Sequence, residues 1–256
     1  MITVAHWVTL GLVAVLGHVM AGFWLHALRH DWAVCQRTIF DLPIDEEQLR
    51  REQKNSLHAP MHAVILGVSL AAGSFQQSTW LSFLPSVLIT ALWAEIWHYA
   101  SHRAMHLKWL HWIHREHHKS HLNTPFTAIS FSFAEKLVFD VGLLAPLALL
   151  DLVWPVNFFG VAAWYLGYLI INSFSHANFE LKSPSYTRGL GRLLTTTTYH
   201  SLHHSRYTGN YGLGTRVLDR LFGTEWDDYE RLYDRVCRDR QPLQKLSERV
   251  PPAAAR

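Results

Sequence analysis

The stretch that decides the fold is LVFDVGLLAPLALLDLVWPVNFFGVAAWYLGYLIINSFS, residues 137–175, in which only two side chains are charged. Pro155, which has polar residues nearby, divides it into two apolar segments, 137–154 and 156–175, and suits a tight reversal between two helices. A membrane-spanning helix requires roughly 20 mostly apolar residues, and both segments come close to that length. The stretch therefore predicts two consecutive helices in a membrane.

The remaining sequence repeats this pattern. Hydrophobic residues make up 49% of the 256-residue chain, and three more segments, at about 2–25, 58–77 and 79–97, are candidate spans. The first has no basic residues before it and no Ala-x-Ala site after it, so we expect a membrane anchor rather than a cleaved signal peptide. We predict an all-α integral membrane bundle in one domain, 1–256, with five crossings; four crossings or two re-entrant hairpins are the alternatives.

Basic residues are confined to one set of connections. All 23 Lys and Arg residues lie in 29–57, in 98–136 or after residue 175, which fall on one side if five segments cross. Because basic loops remain in the cytoplasm, this side is predicted to be cytoplasmic, in a bacterial inner membrane rather than the endoplasmic reticulum. The long cytosolic regions are then 98–136 and 176–235, and 250–256 is predicted to be a frayed tail.

Eighteen histidines are present, and half of them fall into three clusters at segment ends and in polar regions. In the first cluster they recur every four residues, so adjacent members share a helix face about 6 Å apart along the axis. The other two clusters each read His-x-x-His-His, in which the first imidazole lies near both others and the adjacent pair diverges by about 100°. The clusters are His98, His102 and His106; His114, His117 and His118; and His200, His203 and His204.

Clusters of this kind predict a metal site. Imidazole suits iron, zinc, copper and nickel, whereas copper(I) and iron–sulfur sites use thiolates. The two cysteines, Cys35 and Cys237, are far apart in the sequence, and a structural zinc would need only four ligands. Two His-x-x-His-His units and one His-x-x-x-His pair supply eight imidazoles, enough for two metal ions with positions left for water or oxygen.

Four motifs resemble those of the fatty acid hydroxylase and sterol desaturase superfamily, whose members are integral-membrane di-iron oxygenases. Three are similar to its histidine boxes and the fourth to the signature that follows the third box; the resemblance covers residues 90–226. The motifs are HRAMH (102–106), HREHH (114–118), HSLHH (200–204) and NYGLGTRVLDRLFGT (210–224). The resemblance implies metal ligands at His102, His106, His114, His117, His118, His176, His200, His203 and His204.

The first histidine box has an alternative register, and one residue departs from the family's pattern. HYASH, residues 98–102, is a second possible first box, which would use His98 in place of His106. Arg103 follows His102 as in the family, and this is the reason for choosing the later register. Leu218 stands where many relatives have Trp, a change that we expect to affect packing more than chemistry.

Three carboxylates are candidates for supporting roles. Metal-bound imidazoles usually donate their second N–H to a carboxylate or a carbonyl, and Glu95 and Asp219 are placed for this in sequence. The alternative for both is an ordinary salt bridge with a neighbouring basic residue. Glu180, four residues after His176, is either a carboxylate ligand or a solvated acid, and we expect the acid to be solvated.

The resemblance implies an enzyme of lipid biosynthesis that uses two iron ions and O2 to hydroxylate or desaturate a lipid C–H bond in regions 98–136 and 176–235. We expect hydroxylation, although NTPFTAISF, residues 123–131, resembles a stretch of sterol C5-desaturases. A lipid substrate would enter from the bilayer. Electrons would come from a separate cytochrome b5-like protein or a ferredoxin and its reductase, and no nucleic-acid partner is predicted.

Two other classes of protein fit less well. A zinc metalloprotease requires His-Glu-x-x-His, and the sequence contains no His-Glu dipeptide. A membrane metal-binding or transport protein without oxygenase activity is the other class. A metal transporter or a bis-histidine membrane cytochrome would place ligands or polar residues within the spans, whereas these clusters lie at segment ends and in polar regions.

Overall fold

The chain folds into helices. The computed structural model describes residues 2–76 and 79–251; Gln77, which ends the segment predicted at 58–77, and residues 252–256 of the predicted tail lie outside the described residues. Within the described ranges, β-structure is limited to three isolated bridges, so the predicted all-α fold is confirmed. The helices are α1 Val4–Arg29, α2 Glu46–Asn55, α3 Met61–Ala71, α4 Trp80–Met105, α5 His111–His118, α6 Phe133–Leu150, α7 Phe158–Ser175, α8 Thr197–Arg206, α9 Val217–Leu221 and α10 Tyr229–Cys237.

Five of these helices form a closed ring. Helix α1 packs against α7, α7 against α4, α4 against α6, α6 against α3, and α3 returns to α1. Each of the five overlaps one of the apolar segments predicted from the sequence. Leu10, Val13, Leu66, Leu144 and Val161 are among the buried side chains that fill the space between the helices. Close packing of this kind is the main stabilising interaction for helices in a membrane.

One end of the ring is fixed by two polar side chains. The amide of Asn157, the N-cap of α7, donates to the carbonyl of Thr79, directly before α4, at 2.8 Å. Asp151, at the end of α6, accepts from the backbone N–H groups of Phe75 and Val156 at 2.6 and 2.8 Å. Helices α4 and α7 therefore begin at this end of the ring. The end of α6 and the segment that follows α3 lie at the same end.

Two glycines allow helices of the ring to approach closely. A Cβ atom on Gly160 of α7 would lie 2.7 Å from the carbonyl oxygen of Phe83 in α4. A Cβ atom on Gly142 of α6 would lie 2.0 Å from the ring of Trp97 in α4. Neither distance is sterically possible, so both contacts require glycine.

Three described helices are long and apolar enough to cross a membrane by length and composition, namely α1, α4 and α7. Their outward faces are apolar: Val8, Leu12 and Val19 of α1 and Leu84 and Leu88 of α4 are all exposed. Helix α6 has 18 residues but carries three charged ones, and α3 has 11 residues. The number of crossings stays a prediction.

The remaining helices form a cap at the other end of the ring. Helix α8 packs against both α7 and α10, and its side chains Tyr199 and Leu202 share a buried cluster with Tyr229 and Leu232. At the end of α8, Arg206 makes two hydrogen bonds, at 2.6 and 2.9 Å, to the buried carboxylate of Asp228. The cap thus holds α8, and the histidines it carries, against the ring.

Candidate metal centre

The nine histidines predicted as ligands come together at the junction of the ring and the cap. They form two groups, in each of which one ring nitrogen from every member lies within 4.8 Å of the others. Seven of the nine are buried, and His106 and His200 are half-buried. The first histidine group is His102, His106, His114, His118 and His203; the second histidine group is His117, His176, His200 and His204.

Helix geometry divides the histidines between the groups. In both His-x-x-His-His units the two adjacent histidines point to different groups: His117 and His204 to the second, His118 and His203 to the first. Successive residues of a helix diverge by about 100°, so each unit serves both sites. The end of α4 completes the first group, and His176, directly after α7, completes the second.

Most of the rings are oriented by hydrogen bonds from their Nδ1 atoms. Nδ1 of His114 donates to the buried carboxylate of Glu135 at 2.6 Å. Five other Nδ1 atoms donate to backbone carbonyls at 2.7–3.1 Å, which leaves the Nε2 lone pair of each ring directed away from this bond. These pairs are His102 with Tyr211, His117 with Ser130, His176 with Asn172, His203 with Gly209, and His204 with Ser120.

The free ring nitrogens match what a metal ion requires. Among the described residues, the Nε2 atoms of His102 and His114 and both ring nitrogens of His106 are buried without a hydrogen-bond partner. In the second group, Nε2 of His200 lies 2.7 Å from Nε2 of His176 and 3.1 Å from Nε2 of His204. Buried acceptors left unpaired destabilise a protein, and a cation bound among them would satisfy them together. Each group can therefore hold a metal ion.

Burial keeps these imidazoles neutral. Desolvation, with a smaller contribution from neighbouring imidazoles, lowers the pKa of His106 and of His176 to about 3. Desolvation likewise lowers the pKa of His117 to about 4. The pKa values of His114, His118, His200, His203 and His204 are lowered well below the ordinary value for the same reasons. Neutral imidazole is the form that binds metals, so the groups are in the binding form at neutral pH.

Glu95 and Asp219 support loops, and within the described residues neither forms a hydrogen bond to an imidazole or a predicted salt bridge, so their predicted partners are wrong. The carboxylate of Glu95 accepts from the backbone N–H groups of Gly214 and Thr215 at 2.7 and 3.2 Å. Asp219 accepts from the backbone N–H groups of Tyr211 and Gly212 at 2.9 and 2.7 Å. Because the Tyr211 carbonyl accepts from His102, Asp219 acts on the first group through this loop.

Glu180 and His98 lie outside both histidine groups. The expectation that Glu180 is solvated is wrong: it is 1% exposed and accepts from the backbone and hydroxyl of Thr198, near the start of α8, at 2.9 and 3.0 Å. Burial raises the pKa of Glu180, and these hydrogen bonds oppose that effect. His98 stacks on Phe139, and its ring centroid lies 4.9 Å from that of His102.

Sequence reasoning missed two side chains beside the first group. Glu135, which binds His114, lies at the start of α6, and its signal was an acid close to the beginning of an apolar segment. The Tyr207 hydroxyl hydrogen-bonds the His111 ring, and its own ring lies 4.8 Å from that of His118. Tyr207 follows α8 with a positive φ of 73°, a conformation that its sequence does not signal.

A cavity of about 310 Å³ connects the ring of helices to both histidine groups. Its walls in α4, α6 and α7 are mostly apolar and include Val87, Phe139, Trp164 and Ile171. Histidines of both groups line its other end: His102 and His114 from the first, and His117, His176 and His200 from the second. Trp164 lines this cavity, whereas Trp80, Trp109, Trp112 and Trp154 are exposed.

A ring of apolar helices capped by two buried groups of neutral histidines defines a helical membrane protein with a candidate two-metal centre. A profile of the fatty acid hydroxylase family matches residues 87–224, more than half of the chain. The chain belongs to the fatty acid hydroxylase family, and the superfamily resemblance of its histidine motifs is thereby confirmed.

Two of the curated relatives of the chain are plant proteins. The chain is 31% identical over 226 residues to the very-long-chain aldehyde decarbonylase GL1-6 of Oryza sativa subsp. indica, an alignment that covers 85% of this chain and 35% of the relative. It is 27% identical over 221 residues to the very-long-chain aldehyde decarbonylase CER1 of Arabidopsis thaliana, covering 83% and 35%. The chain thus spans about a third of the length of these relatives. No solved structure matches it significantly.

Proposed function

We propose that the chain is an integral-membrane di-iron oxidoreductase that uses O2 and external electrons to oxidise a C–H bond of a lipid. Hydroxylation is the favoured outcome, and desaturation of the sterol C5-desaturase kind is the alternative. The observation that carries the proposal is the cavity, because it joins apolar walls of the helix ring to both histidine groups. Three helices of spanning length and membership of the family support an integral membrane protein.

The nine histidines are the proposed iron ligands, five for one ion and four for the other. Imidazole without thiolate suits iron, and Glu135 supplies the carboxylate that commonly orients a metal-bound histidine. When bound, the two ions would supply the redox chemistry by which O2 attacks an unactivated C–H bond. Hydroxylation would consume O2, two electrons and two protons and release one water; desaturation would release two waters.

The protein's own side chains position the lipid and exclude water. Apolar residues such as Val87 and Ile171 provide the walls of the cavity along the ring, and the predicted entry of the lipid is from the bilayer. Phe131 stacks on the ring of His117 at 5.2 Å between centroids and lines the same cavity, so it restricts water beside the second group. An apolar chain in this cavity would place C–H bonds next to both histidine groups.

The electron donor is proposed to be a separate cytochrome b5-like or ferredoxin-type protein that docks on the cap. Arg188, Arg192 and Arg238 are among the exposed basic residues there, and they would attract an acidic partner. We place this face in the cytoplasm, because the 23 Lys and Arg residues favour that side. The comparisons give no support for a bacterial inner membrane over the endoplasmic reticulum, since the relatives described above are plant proteins.

Decarbonylation of a long-chain aldehyde is a second candidate. The names of the rice and Arabidopsis relatives favour it, and the chain aligns with them over more than four-fifths of its length. The same cavity would accommodate a long aliphatic chain with its polar end near the histidines. The two candidates predict different products from the same class of lipid.

Labelled oxygen separates these reactions. The purified protein, loaded with iron and supplied with a reductase system and ¹⁸O2, would be incubated with lipid extracts of cells that lack the gene. A hydroxylated lipid carrying ¹⁸O supports hydroxylation, loss of two hydrogens supports desaturation, and a hydrocarbon one carbon shorter than an aldehyde supports decarbonylation. A protein that binds about two metal ions yet neither consumes O2 nor changes any lipid would overturn the proposal in favour of a metal-binding membrane protein.

A further inference from the structure

Helix α6 places a charged pair inside the ring of helices. The ammonium of Lys136 donates to Oδ1 of Asp140 at 2.6 Å, and these residues are only 6% and 2% exposed. Charges at such positions are costly to bury, and in membrane proteins they usually mark a ligand or ion pathway. The histidine groups do not use this pair, since within the described residues neither side chain forms a hydrogen bond to a predicted ligand.

The pair leaves hydrogen-bonding capacity free. Asp140 Oδ1 also accepts a long hydrogen bond, 3.4 Å, from the hydroxyl of Tyr165. Its other oxygen, Oδ2, is buried and has no partner anywhere in residues 2–76 and 79–251. A carboxylate oxygen buried in this way lacks a donor that would stabilise it. The ammonium of Lys136 has three N–H groups, of which Asp140 takes one.

The charged pair lines a recess of the main cavity. Lys136, Asp140 and Tyr165 line a space of about 40 Å³, large enough for one small polar group. His98, Phe131, Phe139, Trp164, Tyr168 and Leu213 line both this recess and the main cavity, so the two spaces adjoin.

Few chemical groups satisfy both residues. A hydroxyl can donate to Asp140 Oδ2 and accept from the ammonium of Lys136 at the same time. An aldehyde or ketone oxygen can only accept a hydrogen bond. A fatty carboxylate has no proton to donate to Asp140, and the ion pair of Lys136 and Asp140 has no net charge to attract it. We propose that the recess recognises a hydroxyl group at the polar end of the lipid that occupies the main cavity. This proposal rests on the proposed function only in assuming that a lipid occupies the main cavity.

His98 explains where such a lipid would lie. Its imidazole lines both spaces, and its Nε2 has no partner in the described part of the chain. The ring stacks on Phe139, 5.1 Å between centroids, and lies beside His102 of the first histidine group. A hydroxyl in the recess therefore places the carbons next to it beside that group, while the rest of the chain follows the apolar walls.

Binding of two matched ligands tests the recess. 1-Dodecanol and 1-chlorododecane have the same chain, but only the alcohol can donate a hydrogen bond. Titration calorimetry of the full-length protein in detergent micelles, without reductant, should give at least about tenfold tighter binding of the alcohol, as expected for a hydrogen bond to a charged group. In Asp140→Asn and Lys136→Met, this preference should fall below about twofold.

The control is a pair with the same spacing elsewhere. Asp234 and Arg238 form an exposed i,i+4 ion pair on the cap at 2.9 Å, so Asp234→Asn should keep the full preference for the alcohol. Equal binding of the two ligands to the unmodified protein would overturn the proposal, because the recess would then not recognise a hydroxyl. That comparison needs no variant, so it remains decisive if Asp140→Asn does not fold. Because no electrons are supplied, a preference for the alcohol in a protein that oxidises no lipid would refute the proposed function alone.

Discussion

The two histidine groups lie side by side and share helices α5 and α8, but they are fixed in different ways. In the first group, His114 is held by the carboxylate of Glu135, and His106 has no hydrogen bond from either ring nitrogen within the described chain. In the second group, three of the four rings donate to backbone carbonyls, from Asn172, Ser130 and Ser120. Two rings of the first group, His102 and His203, also donate to backbone carbonyls. The first site therefore adds a charged support and one ligand that no hydrogen bond orients, whereas the supports of the second come from the backbone.

This difference has a chemical consequence. An imidazole that donates to a carboxylate is a more basic ligand than one that donates to a carbonyl. The first group should thus bind a cation more strongly through His114, which donates to Glu135. Because no hydrogen bond within the described chain orients His106, its ring can adjust when the coordination changes. The backbone-held group should keep its geometry with less dependence on any single side chain.

The largest expected effect is loss of one metal ion on removal of a ligand from either group. His118→Ala should empty the first site and His204→Ala the second, lowering the metal content of the purified protein from about two ions per chain to about one. Lipid oxidation should fall below detection in both variants. Elemental analysis and oxygen uptake provide the measurements. His6→Ala and His18→Ala should retain full metal content, since His6 bonds Thr3 and His18 bonds Ser56.

Removing the charge of Glu135 should affect one site more than the other. Glu135→Gln keeps the shape of the side chain but weakens its bond to His114, and loss of such a support typically costs about 10- to 100-fold in metal affinity. Competition with a chelator should show one weakened ion and one unchanged ion. Glu116→Gln, at the exposed Lys119 ion pair on α5, is the matched control and should change neither. Equal weakening of both ions by Glu135→Gln would contradict the separation of the two groups.

These contrasts also explain what the sequence could predict. Eight of the nine histidines were identifiable from both their local spacing and the resemblance of the motifs, and His176 from the resemblance alone. Their supports were not, since Glu135 is 21 residues from His114 and the backbone carbonyls have no sequence signature. Glu95 and Asp219 were recognised as important acids, but their backbone partners depend on how the loop at residues 211–215 folds back.

The fold was predictable to a similar extent. Apolar segments locate the five helices, but the closure of the ring depends on which helices pack together. The position of Lys136 illustrates the limit: by sequence it belongs to the polar region 98–136, whereas the structure buries it inside α6. Helix geometry and the partner Asp140, four residues away, account for the difference.

A smaller effect on metal affinity is expected at His106, the proposed ligand that no hydrogen bond orients within the described chain. His106→Ala removes one of the five nitrogens of the first group but breaks no hydrogen bond within the described chain. We therefore expect a metal affinity between that of the unmodified protein and that of His114→Ala, with roughly tenfold weakening. Chelator competition on the three proteins side by side would measure this order. Complete loss of the ion in His106→Ala would show that the ring is fixed by the metal as firmly as the others.

The smallest effects on metal affinity are expected at Asp219 and Glu180, two carboxylates that act through the backbone. These effects should again distinguish the two histidine groups. Asp219→Asn weakens the loop that presents the Tyr211 carbonyl to His102, so its effect should fall on the first group. Glu180→Gln weakens the start of α8 at Thr198, and α8 carries histidines of both groups, so both ions should be affected together. Each change removes charge from a buried hydrogen-bonded carboxylate and should lower the free energy of unfolding by about 1–3 kcal/mol, with only a few-fold change in metal affinity. Chelator competition resolves one affected ion from two, and thermal unfolding in detergent measures the stability. If Asp219→Asn weakened the second ion as much as the first, the loop at residues 211–215 would be a support shared by both sites.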